Sequence, residues 1–138
     1  MKICYSTTCF GPEQRKNDLL RWLEIIKSSG VNTIEISRKH LDIARRVEQI
    51  KALGIDVWSI HGTLGLEAVG DDKAVREQAI ANEIARMKDT SAFAPCPYVI
   101  HYLDRFNDPA YGQRFRNALE KLVKANEDFG FILAIETA

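Results

Sequence analysis

Two histidines and two glutamates stand where short apolar runs of this 138-residue sequence end or alternate. His61 closes Gly54-Ile55-Asp56-Val57-Trp58-Ser59-Ile60-His61, His101 follows Pro97-Tyr98-Val99-Ile100, and Glu136 follows Phe131-Ile132-Leu133-Ala134-Ile135. Imidazole and carboxylate are the groups that ligate a divalent ion or move a proton near neutral pH. Parallel α/β folds build their sites at strand C-terminal ends, because the following loops lie outside the sheet. His61, His101 and Glu136 are therefore candidate metal ligands or acid–base groups. Glu35 lies in the alternating run Val31-Asn32-Thr33-Ile34-Glu35-Ile36-Ser37, and Arg38 follows it. Both are candidates for holding a substrate, and Arg38-Lys39-His40 suits a phosphate. Plainer roles compete with these: hydrogen-bonded structural histidines, a buried ion pair at Glu35, a solvated helix start at Arg38, and a solvated carboxylate at Glu136.

The elements that must carry these residues alternate in type. Residues 2–6 read as a first strand, and Pro12 suits a first helical turn, where its missing N–H is no loss. Leu19, Leu20, Leu23 and Ile26 give 18–27 one apolar helical face, and Gly30 ends it. A second strand over 31–37 precedes a helix over 41–53, with Ile43, Ala44, Val47, Ile50 and Leu53 inward and Gly54 as its stop. The third strand is 56–61. Asp71-Asp72 offers a cap for a helix over 73–93, with Val75, Ala79, Ile80, Ile84 and Met87 as its buried stripe. A fourth strand over 98–102 leads to Asp108-Pro109, which opens a helix reaching about 128. Its apolar side is Tyr111, Phe115, Ala118, Leu119, Leu122 and Val123. Gly130 precedes the fifth strand, 131–136.

Five strands alternating with four helices call for a parallel sheet with right-handed crossovers. Alternation along each strand puts Thr33, Glu35 and Ser37 on one face. The same reading groups Val57 with Ser59 and His61, Val99 with His101, and Ile132 with Ala134 and Glu136. The opposite faces, including Trp58 and Ile60, are bulky and suit packing under helices. One polar, enclosed face fits a barrel interior better than a sheet with helices on both sides. The expected fold is thus the first half of a (β/α)8 TIM-type barrel, with residues 1–138 as a single, partial-barrel domain.

Lys and Arg balance Asp and Glu at 19 each, so no net field draws in nucleic acid or an anionic membrane. No apolar run approaches the roughly 18 residues of a membrane helix. Three cysteines without Cys-x-x-Cys spacing suit free thiols and a cytoplasmic setting. Cys4 and Cys96 read as small core residues.

Ser59-Ile60-His61-Gly62, Val99-Ile100-His101-Tyr102 and Leu133-Ala134-Ile135-Glu136 resemble the third, fourth and fifth strand ends of the xylose isomerase-like barrel superfamily. Thr33-Ile34-Glu35-Ile36 after Ser29-Gly30 is similar to its second strand. The group includes sugar and sugar-phosphate isomerases and epimerases, and apurinic-site endonucleases. The resemblance implies a divalent metal (manganese, magnesium or zinc) and a small sugar or sugar-phosphate substrate. It makes Glu136 a metal ligand that also serves at the reacting carbons. It makes His61 and His101 either ligands, as in the endonucleases, or residues bordering the substrate. The family draws its remaining ligands, an Asp, a His and a second Glu, from later strands. An isomerase or epimerase is the leading expectation, and a zinc-dependent endonuclease-like hydrolase is the alternative. A third expectation is a catalytically incomplete half barrel that pairs as a homo-oligomer or joins a missing C-terminal half. The 138 residues by themselves are expected to lack a full site.

Overall fold

A computed structural model describes residues 3–9, 19–38, 46–102 and 108–137. The expected strand start at Lys2, the Pro12 turn, Ile43, Ala44, Lys39 and His40 lie outside the described residues. Five parallel strands alternate with helices in one sheet, as the sequence predicts. The chain divides into two compact units, Met1–His61 and Gly62–Ala138. Among the described residues no helix is long and apolar enough to cross a membrane.

In the first unit, β1 (Tyr5–Ser6) pairs with β2 (Thr33–Ile36), and β2 pairs with β3 (Asp56–His61). Helix α1 (Leu19–Ser28) connects β1 to β2, and α2 (Val47–Ala52) connects β2 to β3. Leu19, Leu23 and Ile26 recur every three or four residues, so one stripe of α1 is buried; Val47 and Ile50 do the same for α2. Ile34, Ile36 and Ile60 complete this core. The predicted glycine stops hold: Gly30 and Gly54 have φ of 88° and 65°, as does Gly130 of the second unit at 79°, a region costly for residues with a Cβ.

Strand alternation breaks between β2 and β3. Ile34 is level with Val57, but Glu35 is level with Ser59, so β3 carries one extra residue, Trp58, at a bulge. Val57 therefore stands beside Ile34 instead of sharing the face of Glu35. Trp58, expected under a helix beside Ile60, is 58% exposed. Cys4 is exposed too, whereas Cys96 is buried as expected.

The second unit holds β4 (Pro97–Tyr102) and β5 (Ile132–Thr137), paired from Pro97↔Ile132 to Tyr102↔Thr137. Helix α3 (Lys73–Thr90) begins at Asp72, whose carboxylate accepts from the N–H groups of Ala74 and Val75 at 2.8 and 3.1 Å. Asp108 caps α4 (Pro109–Asn126) in the same way, accepting from Ala110 N–H at 2.9 Å. Arg114 bridges the two caps' loops, 2.9 Å from both Asp71 and Asp108. After α4, Asn126 both donates to Phe131 O and accepts from Phe131 N–H, which sets the entry to β5.

The buried stripe of α3 is Ile80, Glu83, Met87 and Thr90, while Val75 is exposed. The predicted stripe found Ile80 and Met87 but passed over the acid between them. On α4, Tyr111, Phe115, Ala118 and Leu122 are buried, whereas Val123 is 54% exposed.

These burials separate two kinds of large residue. Leu23→Ala and Leu122→Ala, each at fully buried positions, should lower unfolding free energy by roughly 2–5 kcal/mol in urea denaturation. Trp58→Ala should cost less than about 1 kcal/mol, because the indole is largely in water already.

Candidate active site

The polar cluster of the first unit follows from register. Residues level in neighbouring parallel strands point the same way, and Ser6, Glu35 and Ser59 are level in β1, β2 and β3. The Ser6 hydroxyl donates to Glu35 Oε1 at 2.8 Å, and the Ser59 hydroxyl to Oε2 at 3.1 Å. His61, two residues further along β3, brings Nε2 to 3.0 Å from the same Oε2. Just beyond, Ser37 N–H donates to the buried Thr7 hydroxyl at 2.8 Å, tying the exits of β1 and β2 together. Burial pushes the Glu35 carboxyl up. The Ser6 hydroxyl, the charge and hydrogen bond of His61, and the Ser59 hydroxyl outweigh it and leave the group below its ordinary value of 4.5. Arg38 is exposed at the exit of β2.

In the second unit His101 and Glu136 are level at the ends of β4 and β5. His101 Nδ1 lies 3.3 Å from Glu136 Oε2, and the side chains are 23% and 51% exposed. Their chemistry and separation fit a shared ion. Two ligand atoms held tetrahedrally at about 2.1 Å from zinc are themselves about 3.4 Å apart. Of the candidate residues, Glu35 thus meets His61 in the first unit and His101 meets Glu136 in the second.

Glu83, on the middle of α3, was not anticipated. It is 1% exposed, and its carboxylate accepts hydrogen bonds from two neighbouring residues. Thr63 N–H donates to both carboxylate oxygens at 3.0 Å, the Thr63 hydroxyl donates at 2.5 Å, and the Tyr98 hydroxyl at 2.6 Å. Burial, followed by the charge of Glu83, pushes the Tyr98 phenol far up, so it remains a donor. This cluster fixes Gly62 and Thr63, the residues that follow His61. Gly62 N–H donates to Val99 O at 2.8 Å. A Cβ at Gly62 would sit 2.5 Å from Glu83 Oε1 and 2.9 Å from Tyr98 Cε1, so close approach, and not φ, demands glycine here. The sequence signal was one acid spaced three and four residues from Ile80 and Met87, inside an otherwise buried stripe.

No protein-family model and no curated protein sequence matches the chain. Solved structures do match. A D-tagatose 3-epimerase-like protein superposes with a TM-score of 0.72 at 16% identity, covering 98% of this chain and 52% of that one. A xylose isomerase domain protein from Alicyclobacillus acidocaldarius gives 0.73 at 12% identity, covering 98% and 49%. The IolI protein, solved with a bound zinc atom, gives 0.69 at 16% identity, covering 100% and 52%. The fold is that of the N-terminal half of a xylose isomerase-like barrel. The half barrel spans about half the length of the solved structures it matches.

Two experiments probe this geometry. Gly62→Ala should destabilise the half barrel by roughly 1–3 kcal/mol through overpacking. Tyr98→Phe should cost about 1–3 kcal/mol by removing a donor from a buried carboxylate, both read by urea denaturation. The folded-state pKa of Glu35 is depressed, so its contribution to stability is full above about pH 4.5 and is lost as pH falls through the lowered value. Stability measured from pH 7 downward should therefore fall less steeply in Glu35→Gln than in the native chain.

Proposed function

We propose that the half barrel carries part of the active site of a sugar or sugar-phosphate isomerase or epimerase that works with a divalent metal ion. The observation that supports this most directly is the His101–Glu136 pair, level at two strand ends with ligand atoms 3.3 Å apart. Likeness to the fold of a D-tagatose 3-epimerase-like protein, and to that of the IolI protein solved with a bound zinc atom, supports the same reading. His101 and Glu136 would hold the ion, which when bound polarises the substrate's carbonyl and hydroxyl, and His61 is kept as a candidate ligand. Glu136 is assigned a second task, accepting the proton from the carbon beside the carbonyl. Arg38, exposed past β2, is assigned to a phosphate or hydroxyl at the substrate's far end.

These ligands fall short of the four to six that such an ion takes. We assign the remainder to further β/α elements, supplied by a longer product or by a second copy. Among the described residues β5 has no strand on its outer edge, and Ile132 and Ile135 are 58% and 53% exposed there. Unpaired edges of this kind call for a partner. On this reading residues 1–138 act as one partial-barrel domain. The free cysteines support a reducing, cytoplasmic setting.

Calorimetric titration with zinc and with manganese tests the ligand set. His101→Ala and Glu136→Gln should each weaken binding at least about tenfold. Unchanged affinity in both variants would overturn the metal reading. Conversion of a ketohexose, followed by chromatography, is expected only in samples whose light-scattering mass exceeds one chain. A monodisperse monomer that epimerises the sugar unaided sinks the shared-site account.

A further inference from the structure

Glu35 has a different place in this site from that of a substrate ligand. Both of its oxygens are engaged within the first unit. Oε1 accepts from the Ser6 hydroxyl at 2.8 Å, and Oε2 accepts from Ser59 at 3.1 Å while facing His61 Nε2 at 3.0 Å. The two serines come from the strands on either side of β2, so the carboxylate is held from both flanks. An ionised carboxylate can only accept hydrogen bonds. The imidazole nitrogen at 3.0 Å must therefore carry the hydrogen. A neutral imidazole protonated at Nε2 has its lone pair on Nδ1.

We infer that Glu35 is a positioning residue that holds His61 in the Nε2–H tautomer and so makes Nδ1 its lone-pair atom. The assignment of that lone pair to a metal ion rests on the proposed function; the tautomer does not. Metal-ligating histidines commonly give their other N–H to a carboxylate, which fixes ring orientation and raises ligand basicity. Ser6 and Ser59 extend the same arrangement one step outward by orienting the carboxylate. The bulge at Trp58 contributes as well: without the extra residue, Trp58 and not Ser59 would be level with Glu35.

The test needs no metal to begin. In uniformly 15N-labelled chain at neutral pH, long-range 1H–15N correlations report which His61 nitrogen is protonated. The expected pattern is that of a neutral ring with hydrogen on Nε2. Glu35→Leu, close in volume but unable to accept, should give a mixture of tautomers. Ser6→Ala, a milder change, should loosen the bias in the same direction. Zinc titration of Glu35→Leu should then show affinity about 10- to 100-fold below that of the native chain. A native His61 protonated on Nδ1 overturns the inference without any variant being needed. So does a tautomer ratio unchanged in both folded variants. A chain whose His61 tautomer depends on Glu35 but which binds neither zinc nor manganese supports the role of Glu35 and overturns the metal reading instead.

Discussion

Register in a parallel ladder is the constraint on which the candidate chemistry depends. Level residues in adjacent strands point to the same side, so a polar group on one strand meets whatever its neighbours place at that height. Ser6, Glu35 and Ser59 share one level, and His101 and Glu136 share another. The first level is reached only because β3 carries one more residue than β2 across the same span. A bulge re-aims every side chain beyond it. Here it turns Ser59 and His61 toward Glu35 while leaving Trp58 in solvent.

Two carboxylates show how environment separates support from chemistry. Glu83 is almost fully enclosed and is answered by a backbone N–H and two hydroxyls, so its charge is balanced by fixed dipoles. Its effect is local order at Gly62 and Thr63, directly after His61. Glu35 is partly open, answered by two hydroxyls and an imidazole. A group so placed can respond to a ligand or an ion, whereas one so enclosed holds the chain in place.

The exposed residues of β5 and α4 belong to the same account. Ile132 and Ile135 of β5 and Val123 of α4 are large apolar side chains left in water. A protein surface normally carries such residues singly. Exposure of such residues on a strand with one open edge agrees with a chain that spans about half the length of the solved structures it matches.

Much of the architecture was legible in the residue order. Glycines at 30, 54 and 130, acids at 72 and 108, and apolar spacing on four helices are local signals, each set by the backbone and near neighbours. The strand ends bearing His61, His101 and Glu136 were legible for the same reason. Tertiary structure alone decided the rest. Alternation counted along β3 placed Val57 with Ser59 and buried Trp58, because a bulge is a mismatch between two strands and leaves no mark on either by itself. Glu83 escaped notice because hydrophobic patterning reads a charge as solvent-facing, and only Thr63 and Tyr98, brought in from other elements, make its burial affordable. Residue types and periods determined which elements form and which side chains could do chemistry. Which oxygen meets which nitrogen was decided by contacts between residues far apart in the chain.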